Sequence, residues 1–218
     1  MTQSQSPNSP NYTSKKIYDR ILIVNDYDYL IWWVEQYIHN SAQILRSHGH
    51  QVKIIGMSCR WLVKYRIVRL MLFLCLPANI IITIRLLWCI FIRKPHIIYW
   101  QNIHRACGRL PVYCARICGI PSAIMYHDFW CITMYPSKLT QESDIDLKFS
   151  LPTYQWSLIS YCMQMTKYYH LCRLHFVIRH IIDKHFVPTE FMKPYIQHII
   201  HIPTQRIFIL AHCLWSLW

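Results

Sequence analysis

The sequence predicts an α/β fold, a Rossmann-like, open, mostly parallel sheet with helices on both faces. Three observations predict it. Short apolar runs suited to buried strands recur along the chain, and stretches with helical spacing separate them. Gly, Pro, Asn or Ser marks most of the junctions. The first such unit runs strand, loop, helix, strand, which requires parallel strands joined by a right-handed crossover.

The opening strand is RILIVN, residues 20–25, which turns polar at Asn25. A helix follows from about residue 32 to 47, where Val34, Tyr37, Ile38, Ile44 and Leu45 recur at helical spacing. SHGH stops it, with Gly49 suited to a left-handed position after the last turn. QVKIIG is the second strand.

Residues 60–94 are strongly apolar but punctuated by Arg and Lys, and predict helices over 60–75 and 79–93. The uncharged run from Leu70 to Ile84 is shorter than the roughly 20 residues that span a bilayer, and Pro77 divides it. Burial against the sheet is the first reading of this region. An interfacial membrane surface is the second.

KPHIIYW is the third strand, with a helix after it over 104–118. Pro111, Cys114, Ala115 and Cys118 share one face of that helix. GIPSAIMYH leads into the fourth strand. Residues 136–151 are polar and relatively acidic, and read as an exposed loop. Helices over 153–169 and 170–181 precede a fifth strand in DKHFVP. Thr189 then caps a short helix, with Glu190 near its positive end. HIPTQRIFIL holds the last strand.

Composition narrows the partners. With 218 residues the chain suits one substantial domain, and its net charge of +13 favours anionic partners. Lys and Arg are dispersed, with no basic run interleaved with aromatics, so nucleic acid is not expected. The ten Cys contain no C-x-x-C and read as reduced, mostly buried thiols of a cytoplasmic protein. Two sets could be drawn as zinc ligands. The first is His170, His175, His180 and His185 with Cys172. The second is His104, Cys107, Cys114 and Cys118. Five-residue steps scatter the first set around a helix, and the second fits a packing face, so neither metal nor cofactor is assigned. Residues 1–16 read as a disordered leader, 17–210 as the domain and 211–218 as a divergent tail.

In open α/β sheets, ligands sit beyond the carboxyl ends of the strands. Asn25, Trp100, His127 and Pro188 each lie at such an end. An imidazole and a carboxylate together, His127 and Asp128, where a hydrophobic strand runs out, mark the strongest candidate site. That reading expects the His127 ring to emerge into an open groove.

Six segments occur in order: RILIVNDY, SHGHQVKIIG, RKPHIIYWQNIH, GIPSAIMYHDFW, HFVPTEFMKPYI and IPTQRIFIL. Together they resemble the N-terminal domain of family 4 glycosyltransferases, one half of a GT-B fold. The resemblance implies retaining transfer of a sugar from a nucleotide-sugar donor to a sugar or lipid-linked acceptor. It implies that this half holds the acceptor and that a second lobe holds the donor. His127 matches the family's active-site histidine, with Asp128 its neighbour on the acceptor side and Thr189 and Glu190 at a late Ser-Glu turn, while Asn25, at the end of the first strand, is a substrate-binding candidate by position.

Two departures accompany the resemblance. Trp32 and Trp33 stand where the family has a glycine pair, so this loop is degenerate for close phosphate approach. The sequence after RIFIL also departs from the family's path into the donor lobe, so the expectation is a half-enzyme inactive alone, a truncated or decayed product. A non-catalytic basic module lying on an anionic membrane, peripheral at its inner face, is the alternative.

Overall fold

The structure, a computed structural model, describes residues 19–28, 33–57, 80–104, 107–129, 132 and 158–210. The leader, Trp32, the expected helix over 60–75, the loop over 136–151 and the tail lie outside the described residues.

Six strands form one parallel sheet: β1 (Arg20–Tyr27), β2 (Gln51–Met57), β3 (Ile97–Trp100), β4 (Ser122–Met125), β5 (Lys184–Val187) and β6 (Ile207–Ile209). Their spatial order is β2-β1-β3-β4-β5-β6. The chain steps one way from β1 to β2, then crosses back past β1 to place β3 on its other side. Strand order therefore reverses at the β1/β3 boundary, where this architecture opens a crevice at the carboxyl ends.

Alternation along β1 sorts the core. Ile21 and Ile23 face α1 (Trp33–Ser47), whose Val34, Ile38 and Ala42 pack on them. Leu22 and Val24 face the larger core. There lie α2 (Ile80–Arg93), α3 (Leu110–Ile117) and α4 (Leu158–Ile181). Asn25 continues the α1 side and Asp26 the other.

Several expectations shift. On α1 the buried face is Val34, Glu35, Ile38 and Ala42, and Ile44 is exposed. The helix expected from residue 104 starts at Leu110. Gly108 holds a φ of 71°, and Pro111 in the first turn suits a helix start. Its buried face is Pro111, Val112 and Ala115, while Cys118 is exposed. The two helices expected over 153–169 and 170–181 are one from Leu158, because no Gly or Pro interrupts the sequence there. Thr189 occupies the capping position but its side chain makes no capping bond. Glu190–Met192, Lys193–Tyr195 and Ile196–Ile200 then follow one helical path of 3₁₀, α and π character. Among the described cysteines only Cys89 and Cys107 are buried; all six are free thiols. No helix among the described residues is long and apolar enough to cross a membrane.

Candidate functional site

The β1/β3 crevice is built by residues that leave the sheet as the strands end. The β1–β2 register slips between Val24 and Tyr27, which releases Asn25 and Asp26 from regular pairing. Asn25 is fully buried. Its Nδ2 donates to Tyr27 O (2.8 Å) and to Glu35 Oε1 (3.2 Å), and its Oδ1 accepts from the Asn102 backbone N–H (3.1 Å). Asp26 Oδ1 accepts from the Cys107 N–H (2.7 Å) on the opposite face. Burial, and then the Asp26 carboxylate, push the Cys107 thiol well above its ordinary range.

Glu35 lies in the first turn of α1, where the helix's positive end favours a carboxylate. It is buried with Asn25. Gln101 follows β3, with its backbone N–H bonded to Val24 O (2.8 Å). His127 follows β4, and its Nε2 donates to Gln101 Oε1 (2.5 Å).

Two α1 aromatics also pack on His127. Trp33 meets the imidazole edge-on with ring centres 5.8 Å apart, and Tyr37 does so at 5.0 Å. The ring is only 6% exposed. This corrects the expectation of an imidazole emerging into an open groove. The parallel strand and its carboxyl-end position hold, but Trp33 and Tyr37 pack on the ring. The result is a closed circuit: Asn25 to Glu35 on α1, Trp33 and Tyr37 to His127, His127 to Gln101, and Asn102 back to Asn25.

The other sequence-derived candidates separate. Asp128 is half-buried beside His127. Thr189 and Glu190 are exposed beyond β5, where Glu190 approaches Lys193 Nζ (3.8 Å). Arg85 from α2 donates to Gly56 O and pairs with Asp28 (3.1 Å), pinning the rim at the ends of β1 and β2.

Glu35, Gln101 and Asp26 are site members that sequence reasoning did not single out. Gln101 carried the same signal as His127, a polar residue directly after an apolar strand. Glu35 was visible in WWVE but was overshadowed by the indoles.

The histidines once drawn as metal candidates behave differently. His170 and His175 on α4, and His185 on β5, are buried. Burial, and then Arg206, hold His185 down at about 3, and its Nδ1 lies 3.0 Å from Tyr126 Oη. Burial, and then Arg109, hold His170 at about 4. Among the described residues no group of three or more His, Cys, Asp or Glu is arranged to hold a metal ion.

No protein-family model matches the chain, and no curated protein matches it. Among solved structures it is similar to a glycosyltransferase from Rickettsia africae ESF-5, with 12% identity and a TM-score of 0.47 over 88% of this chain and 43% of that one. It is similar too to Glycyrrhiza uralensis UGT73P12 complexed with glycyrrhetinic acid 3-O-monoglucuronide, with 10% identity and a TM-score of 0.47 over 91% of this chain and 49% of that one. The chain spans less than half the length of either.

Proposed function

We propose that the chain is the acceptor-side half of a retaining glycosyltransferase, holding a sugar or lipid-linked acceptor in the β1/β3 crevice. The observation that carries this reading is the circuit of Asn25, Glu35, Gln101 and His127 at the reversal of strand order. Carboxamides, a carboxylate and an imidazole stand side by side, a donor and acceptor set that suits sugar hydroxyls where Trp33 yields and the circuit exchanges its internal bonds for them. The six ordered segments that resemble the family support the same reading.

In this reading the nucleotide-sugar donor sits on a second lobe facing the crevice, and the half alone turns over no sugar nucleotide. His127 fixes Gln101 and, where Trp33 yields, meets the transferring sugar. Asp128 is the acceptor-side neighbour of His127, and Thr189 and Glu190 form the late turn beyond β5. A cytoplasmic setting, peripheral at the inner face of the membrane, accompanies a lipid-linked acceptor.

Two measurements test this. Ligand-observed NMR on the chain with a panel of saccharides is expected to detect binding that Asn25→Ala and Glu35→Gln abolish. Failure of every saccharide to bind sinks the acceptor role. When the chain is fused to the donor-binding half of a glycosyltransferase, His127→Ala is expected to cut turnover at least about tenfold. An unchanged rate removes His127 from the chemistry, and transfer by the unfused chain overturns the half-enzyme assignment.

A further inference from the structure

The helix α2 is apolar apart from Thr83, Arg85 and Arg93, yet only about half of it is covered by the described residues. Ile82, Thr83, Leu86, Cys89 and Ile90 are buried against the sheet and α3. Ile80, Ile81, Ile84, Trp88, Phe91 and Ile92 are each 60–68% exposed. At about 100° per residue these six fall within a single arc of roughly 120° on the outer side. A surface helix ordinarily turns charged residues to water along that arc. At 14 residues α2 is roughly 21 Å long, too short for a bilayer core of about 30 Å, so the arc suits lying in an interface and not crossing one.

Charge tells what covers it. At the carboxyl end of α2 the arc runs through Ile92 into a groove of about 660 Å³, lined also by Arg20, Arg46, Lys53 and Arg93. Arg20 Nε is held on Lys94 O (2.8 Å) and Arg46 Nη2 on Val52 O (2.8 Å), so both cations are fixed at the groove. Among the described residues none of the four cations forms an ion pair. The groove lies at the amino ends of β1 and β2, the edge opposite the crevice. An occupant there leaves the candidate site open.

An apolar stripe bordered by unneutralised cations complements a lipid interface carrying negative headgroups. We propose that the outer arc of α2 and the adjoining Arg20/Arg46/Lys53/Arg93 groove dock the protein on an anionic membrane surface. Trp88 and Phe91 bury among the acyl chains, and the groove takes a headgroup phosphate. This surface is independent of the crevice and of the sugar-transfer reading.

Sedimentation of the full chain with lipid vesicles tests it. Binding is expected to vesicles holding roughly a third phosphatidylglycerol and not to phosphatidylcholine alone, and to weaken at high salt. Arg46→Gln with Arg93→Gln should lower the affinity about tenfold or more. Trp88→Ser with Phe91→Ser should abolish binding while leaving the circular dichroism spectrum unchanged, because both side chains are already in water. Equal binding to neutral and anionic vesicles, or binding to neither, overturns the proposal without recourse to any variant. So does a dimer in solution that the Trp88→Ser/Phe91→Ser pair dissolves, since the arc would then be an interface between copies.

Discussion

Trp33 decides what the candidate site can do. Its indole lies edge-on to His127, where a glycine would leave the imidazole approachable. The indole is itself about half exposed, so it shields the ring without being locked in the core. Trp33→Gly is therefore expected to uncover His127 at a stability cost of roughly 3 kcal/mol, set by the covered half of the indole. Labelling with diethylpyrocarbonate, read at His127 by mass spectrometry, should speed up several-fold in this variant. His185, buried elsewhere, serves as the internal control. An unchanged rate at His127 would mean that Tyr37 and Gln101 alone close the ring off. In that case the tryptophan is not the barrier.

The strands and helices around that ring show what could be read from sequence and what could not. β1, β2, α1 and the carboxyl-end position of His127 followed from periodicity, because each is a local pattern of apolar and polar residues. Gly49 was legible too: its φ of 83° and the Gly49 N–H to Arg46 O bond end α1 as a left-handed position should. The burial of His127 was not legible. It depends on α1 bringing Trp33 and Tyr37 over the end of β4, a contact between segments some ninety positions apart whose geometry no local pattern carries.

Gly56 is another such case. Read locally it is a weak spot in β2, yet a Cβ there would lie 2.6 Å from Tyr27 C and 2.9 Å from Asn25 O. The slip in β1 that frees Asn25 thus needs a bare backbone beside it. Gly56→Ala is expected to cost on the order of 2 kcal/mol or more, because backbone and not a flexible side chain must give way. Because the same clash reaches Asn25, any saccharide binding at the crevice should weaken with it. Urea denaturation and the binding assay together check this. A full-stability variant would show that β1 can shift at no cost.

Taken together, the chain carries many cations and buries several of its titratable bases. A net charge of +13 already sets the folded state against itself. His170 and His185 are held at about 4 and about 3, chiefly by burial, while their unfolded values lie near 6.5. Between those limits the unfolded chain binds protons that the folded chain refuses. The stabilisation is therefore complete above about pH 6.5 and is lost progressively as pH falls through about 4 and 3. Each unit of difference is worth about 1.4 kcal/mol, so the two sites together can remove several kcal/mol. That is a large share of the 5–15 kcal/mol typical of a folded domain. Thermal melts followed by circular dichroism should give a Tm that is level from pH 8 to 7 and drops steeply between pH 6.5 and 4. In His185→Asn that slope should flatten, whatever the variant does to the plateau, because one of the refused protons no longer exists. A Tm constant down to pH 4 in the native chain would mean that both imidazoles take up protons without leaving their sites, and that neither is sealed from solvent.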